Sequence, residues 1–123
     1  MGKQRGFDIA LWNRVNKRDN GRCQNPLCFY RGKKTNQHHM NDWSTYPEQR
    51  FDEDNLITLC SKRSSLFFIE RTGCHGKFHK WMGGYRISCT KNDLNVWFVV
   101  DGLKKVIYSS ILLLALIMVY FYE

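Results

Sequence analysis

Asp54-Asn55-Leu56-Ile57-Thr58-Leu59-Cys60 is the clearest strand in the chain: short, apolar, β-branched in part, opening on an asparagine and closing on a cysteine. Asparagine suits a strand poorly, so the Asn55 amide is expected to bond neighbouring backbone and fix a loop. The stretch before it, Asn41 to Asp54, is polar, contains Pro47 and reads as an ordered loop. Thr35 to Met40 reads as a second short strand, and it carries the pair His38-His39. After Cys60 comes a connector, Ser61 to Gly73, with the apolar insert Leu66-Phe67-Phe68-Ile69. From Cys74 to Trp81 the pattern turns helical, and Gly83-Gly84 ends it. The centre of the chain is therefore a small α+β unit of two strands and one helix.

The cysteines lie around that unit. There are five, Cys23, Cys28, Cys60, Cys74 and Cys89. Met1 to Ala10 is polar and basic with no apolar signal core, and an odd count argues against a disulfide framework. Cysteine and histidine together in a reducing compartment point first to metal. Cys23 and Cys28 enclose Gln24-Asn25-Pro26-Leu27, and Pro26 can continue neither helix nor ladder, so a knuckle-like turn is expected. Paired with Cys60 and Cys74, this turn supplies four thiolates for one structural zinc, a staple that adds folding free energy in so short a chain. The spacings are wide, four residues between the first two cysteines and fourteen positions from Cys60 to Cys74. The competing reading is a set of scattered buried thiols, and Cys89 is expected to be one.

Adjacent side chains on a strand point to opposite faces, so one of His38 and His39 can hold a metal while the other faces something else. His75 and His79, at i and i+4, stack on one helix face and make a clamp for one cation. They directly follow Cys74, which would pin the start of that helix to the zinc.

The formal net charge is +8, and from Met1 to Asn36 nine lysines and arginines stand against Asp8 and Asp19 alone. Such a segment suits a polyanion such as nucleic acid, since neutralising phosphates releases counterions; a solubilising surface is the plainer alternative. Phe7 to Val15 has a loose helical pattern, Asp19-Asn20-Gly21 a turn signal, and Thr90-Lys91-Asn92-Asp93 resembles a helix N-cap followed by Leu94, Trp97 and Phe98. Val106 to Tyr122 holds no charge and follows Lys104-Lys105. A spanning helix needs ~17–25 apolar residues, so this stretch reads either as a membrane anchor at the lower limit of length or as an apolar helix packed on the domain. The expected organisation is a basic arm over residues 1–22, a core over 23–84, a short extension over 85–102 and an apolar tail over 103–123. No internal repeat or low-complexity segment interrupts it.

Taken together, Cys23…Cys28, His38-His39, Asp54 to Cys60 and Cys74-His75…His79 resemble the HNH endonuclease family, in the right order over Cys23 to His79. Phe78-His79-Lys80-Trp81-Met82-Gly83-Gly84 and Cys89-Thr90…Leu94…Trp97 resemble, on fewer residues, free-standing phage homing endonucleases. The resemblance implies a ββα-metal core stapled by the four-cysteine zinc, here followed by a C-terminal apolar helix. It implies that His38 and His79 are metal ligands, His75 a further ligand or phosphate contact, His39 the general base, and Asn55 the residue that orients the loop carrying the base. One catalytic divalent cation (Mg, Mn, Ni or Zn) would bind the scissile DNA phosphate, and cleavage would leave 5′-phosphate and 3′-hydroxyl ends. No small-molecule cofactor is implied. The expected location is the cytoplasm, that of the host if the chain is phage-encoded, with or without an anchor in the tail; the oligomeric state is open. Arg14, Lys17, Arg18, Arg22, Lys33 and Lys34 are candidates for phosphate contacts. Relatives usually have only two residues where this chain has Ser61 to Gly73, so the insert either loops out or breaks the zinc site. The alternative to an enzyme is a zinc-stapled DNA-binding module, which keeps the cysteines and has no need of His39. Among enzymes, homing, packaging-linked nicking and defence share the same chemistry.

Overall fold

The computed structural model describes residues 8–30, 34–64 and 70–122; Lys33, the insert Leu66-Phe67-Phe68-Ile69 and the first seven residues of the basic arm lie outside them. Helix α1 covers Ile9–Arg18. The Asp8 carboxylate caps it by accepting from the Ala10 N–H at 2.8 Å, and Lys17 and Arg18 occupy the last turn, where the helix dipole favours cations. Asn20 and Gly21 leave the helix at positive φ, 55° and 60°. Leu11 and Val15, one turn apart, are buried against Leu56. The described part of the N-terminal segment is thus a helix fastened to the core.

The fastening is polar as well. Asp19, buried at the end of α1, accepts from the Thr58 N–H at 2.9 Å and pairs with the Arg18 guanidinium at 2.8 Å. Arg18 also donates to the carbonyls of Glu53 and Leu56.

Strand β1, Thr35–His39, pairs antiparallel with β2, Leu56–Cys60, placing His38 opposite Ile57 and His39 opposite Leu56. The loop between them carries 3₁₀ turns at Pro47–Gln49 and Glu53–Asn55. A second two-stranded ladder, β3 (Lys62–Ser64) with β4 (Glu70–Thr72), follows at once. It lies where a plain connector was expected, and its register pairs Lys62 with Thr72. The antiparallel pairing turns the chain back on itself, so Cys60 and Cys74 meet despite the residues between them. The Gly73 N–H donates to Ser61 O at 3.1 Å and closes the neck of this hairpin.

Helix α2 runs Cys74–Met82 and stops at Gly83, whose left-handed φ of 103° lets its N–H bond the last-turn carbonyls. Helix α3 runs unbroken over Lys91–Tyr122, so the extension and the apolar tail are one element. Its start is a reciprocal cap: the Thr90 N–H donates to the Asp93 carboxylate at 2.8 Å, and the Asp93 N–H donates back to Thr90 Oγ1. Leu94 and Trp97 enter the main core with Met40, Leu59, Phe78 and the five cysteines. Phe98 packs on its edge, and beyond it α3 leaves the core.

Candidate functional site

Two clusters of donor side chains flank α2. In the first, the Sγ atoms of Cys23, Cys28, Cys60 and Cys74 all lie within 4.8 Å of one another, and all four residues are buried. Each is held by backbone. The Cys28 N–H donates to Asn25 O at 2.9 Å and the Cys23 N–H to Tyr30 O at 3.0 Å, which shapes the knuckle. The Gln24 N–H bonds Thr58 O at 2.9 Å, hooking the knuckle onto β2. The Cys74 N–H points at Cys60 Sγ (3.1 Å), and the Asn25 amide donates to Cys74 Sγ (3.4 Å).

Such N–H···S contacts orient thiolates and stabilise their charge. The Cys60 thiol is lowered to about 7, led by its hydrogen bond with Cys23, and Cys28 is lowered too, again led by Cys23. Cys23 and Cys74 are pushed up by sharing those protons, led by Cys28 for the first and Cys23 for the second. None of the cysteines is in a disulfide. Four sulfurs with no oxygen donor among them suit a soft, tetrahedral ion, so the cluster can hold a metal such as zinc. Cys89 stands apart, buried near the Met40 carbonyl, its thiol raised to about 11 chiefly by burial.

The second cluster is imidazole. The ring nitrogens of His38, His75 and His79 lie within 4.8 Å of one another. The alternation of β1 turns His38 inward onto α2, edge-on to Phe78 with ring centroids 5.1 Å apart, while helical spacing brings His75 Nε2 and His79 Nε2 to 3.2 Å. His38 Nε2 and His79 Nδ1 are buried with no hydrogen-bond partner among the described residues. Burial lowers all three pKa values, that of His75 to about 4 with help from His79, and that of His38 well below its usual range with His75 and His79 contributing. Neutral imidazoles with an orphaned buried nitrogen among them are a fitting donor set for a cation.

His39, on the other face of β1, turns toward the loop. Its Nε2 lies 2.8 Å from the Arg50 carbonyl, and its ring stands edge-on to Trp43. Asn55, buried, ties this loop down: its Oδ1 accepts from the Asn41 N–H at 2.8 Å, and its Nδ2 donates to the carbonyls of Asn41 and Gln49. That is the loop-fixing task expected of it. The rims of His38, His39, His75 and His79 open onto one cleft of about 630 Å³.

Four further residues shape this cleft without having stood out in the sequence. Trp43 packs on His39, and the Arg50 guanidinium lies over the Trp43 ring, 4.6 Å from its centroid. Tyr85 stacks on His79 at 4.3 Å, and Arg86 lines the opening beside it. The only signal for the last two was their place just after the Gly83-Gly84 break.

The basic candidates are less uniform. Arg14 is exposed and pairs with Glu53 at 3.1 Å; Arg18 is engaged within the fold as described above; Arg22 lies over Phe29; Lys17 and Lys34 are exposed. None of these lines the cleft, whose one basic side chain besides histidine among the described residues is Arg86. No protein-family model, curated protein or solved structure matches the chain.

Proposed function

We propose that the protein is a metal-dependent endonuclease of the HNH type, hydrolysing DNA phosphodiester bonds. The observation that carries this reading is the sharing of one cleft by a three-imidazole cluster and a fourth histidine with a separate hydrogen-bond partner. A zinc-stapled binding module has no use for His39 or for buried, unpartnered imidazole nitrogens.

His38, His75 and His79 would hold the catalytic ion, and the four cysteines a structural zinc. A divalent cation held there would supply positive charge to the scissile phosphate and to the leaving-group oxygen. The Arg50 carbonyl can only accept, so His39 Nε2–H donates to it and Nδ1 keeps a lone pair able to remove a proton from water. Asn55 keeps that carbonyl in place by holding both ends of the loop 41–49. Tyr85 fixes the plane of the His79 ring, and Arg86 offers a guanidinium to a phosphate at the rim. The Phe78 to Gly84 and Cys89 to Trp97 motifs favour a free-standing homing-type enzyme of a phage over a packaging-linked nickase.

The test is plasmid cleavage by the purified chain with Mg, Mn or Ni, beside His39→Ala. Metal-dependent nicking or linearisation that the substitution abolishes, with DNA binding retained, supports the reading. A folded, zinc-loaded protein that binds duplex DNA and cuts with none of these metals is the binding module instead.

A further inference from the structure

α3 holds two unlike halves. Its N-terminal half is pinned to the core by Leu94 and Trp97, whereas its most apolar eighteen-residue window buries nothing against the protein. Exposure there runs right round the helix: Leu112, Leu113 and Leu114, successive residues about 100° apart around the axis, are 62, 59 and 62% exposed. A partner groove covers one stripe of a helix; a helix that is apolar on all sides calls for an apolar solvent. Val106 to Tyr122 gives 17 residues, or about 26 Å at 1.5 Å each, against a hydrocarbon core of about 30 Å. Lys104 and Lys105 stand at the near end and Tyr120, Phe121 and Tyr122 at the far one, the flanks of a bilayer-spanning segment.

The zinc knuckle stands beside the point where that segment begins. Its tip carries two exposed apolar side chains, Leu27 at 39% and Phe29 at 71%. Leu27 lies against α3 beside Gly102. The Lys105 ammonium donates to Leu27 O at 3.4 Å and pairs with Asp101 at 2.7 Å. Asp101 in turn accepts from Asn25 at 2.8 Å, the amide that also contacts Cys74 Sγ. Knuckle and helix are therefore tied at this level by polar contacts, and below them an open groove runs between Leu27, Phe29, Val106 and Leu113. Tip and helix present apolar side chains on both walls of this groove, with Lys105, Ser109 and Ser110 between them.

We propose that α3 crosses a lipid bilayer from Val106 onward and that Leu27 and Phe29 of the zinc knuckle rest in the same leaflet, a second membrane contact rigidly joined to the first. Lys104 and Lys105 place the knuckle and cleft on the cytoplasmic side. The cleft lies near Thr90, about 24 Å along the helix axis from Val106, so it stands clear of the lipid. This inference does not rest on the nuclease reading.

The experiment uses the full chain in phosphatidylcholine nanodiscs with a fraction of lipid carrying a nitroxide near the top of the acyl chain, read by leucine methyl NMR. The Leu27 and Leu113 signals should lose at least half their intensity relative to nitroxide-free discs, while those of Leu56, inside the α1–β2 cluster, keep theirs. Broadening of Leu113 without Leu27 overturns the knuckle contact. Release of the chain from vesicles by alkaline carbonate, or formation of a lipid-independent dimer through α3, overturns the span. The pair Leu114→Arg and Ile117→Arg, at exposed positions remote from the cleft, should abolish vesicle flotation. Retained flotation would count against the proposal, and cleavage of a soluble oligonucleotide reports on the nuclease separately.

Discussion

The His39 ring nitrogen Nε2 and the Arg50 carbonyl oxygen are 2.8 Å apart, and this contact sets which nitrogen of His39 is basic. Arg50 is itself held, its Nε donating to Trp43 O at 2.7 Å and its guanidinium lying over the Trp43 ring. Burial lowers the His39 pKa, the Arg50 carbonyl contact opposes it, and the Arg50 charge adds to the lowering. The imidazole is therefore neutral at neutral pH, with its lone pair on Nδ1.

On the endonuclease reading, His39→Ala should reduce the cleavage rate about 10²–10⁴-fold, the usual worth of a general base, and leave DNA affinity unchanged. Because the His39 pKa is lowered, the acid limb of the rate profile should fall below pH 6.5. Single-turnover rates from pH 4.5 to 8 would show it. An unchanged rate in the variant, or a limb above pH 7, would sink the assignment.

Asn55 is the clasp of the loop that carries Arg50. Asn55→Ala strands the Asn41 N–H and two carbonyls, and we expect a loss of about 2–4 kcal/mol in unfolding free energy. Asn55→Asp keeps the acceptor for the Asn41 N–H but sets a carboxylate oxygen against the carbonyls of Asn41 and Gln49. It should therefore be no more stable than the alanine variant, although it is nearly isosteric. Urea midpoints for the two would decide between this and a passive turn residue, for which both changes would fall within about 0.5 kcal/mol.

Gly73 is required for closeness rather than for its backbone angle, an ordinary φ of −80°. A Cβ there would drive into the backbone carbonyl of Cys60, one residue from both the hairpin neck and the Cys74 ligand. Backbone cannot swing aside as a side chain can, so Gly73→Ala should destabilise by about 3 kcal/mol and weaken zinc retention. Elemental analysis after dialysis should find one zinc per wild-type chain and clearly less in Gly73→Ala or Cys60→Ser. Full zinc in both variants would remove the four-cysteine cluster as the metal site.

How far the sequence reaches depends on which contacts are local. The strand with Asn55 at its head, the helix opening at Cys74 and ending at Gly83, and the cap at Thr90 are written in neighbouring residues, and each is found within a residue or two. The meeting of Cys23 and Cys28 with Cys60 and Cys74 was legible from residue type. Its closure was not, because it depends on the β3–β4 ladder, whose short strands carry no apolar alternation to announce them. Arg14 and Arg18 show the opposite limit. Their charge suggested an external polyanion, and the fold also gives them partners from far along the chain, Glu53 for Arg14 and the carbonyls of Glu53 and Leu56 for Arg18. Tyr85 and Arg86 reach the cleft only because the left-handed turn at Gly83 swings the chain back over α2, a tertiary consequence no local pattern reveals.

The imidazole cluster should make the protein acid-sensitive in a defined direction. His38, His75 and His79 have pKa values below the ordinary 6.5 in the folded state, so between those values and 6.5 the unfolded chain binds more protons. Their contribution to stability is complete above pH 6.5 and is lost as pH falls, down to about 4 for His75. Protonation of the cysteine cluster also destabilises in acid, so the informative quantity is the difference between wild type and His75→Gln. The variant should lose less stability than wild type between pH 7.5 and 4.5, as read from urea midpoints. A divalent cation competes with protons for the same nitrogens, so Mn should raise the wild-type midpoint at pH 7.5, do little at pH 4.5, and do less at either pH in His75→Gln. Equal slopes for both proteins and no response to Mn would mean that the three imidazoles are only packed together.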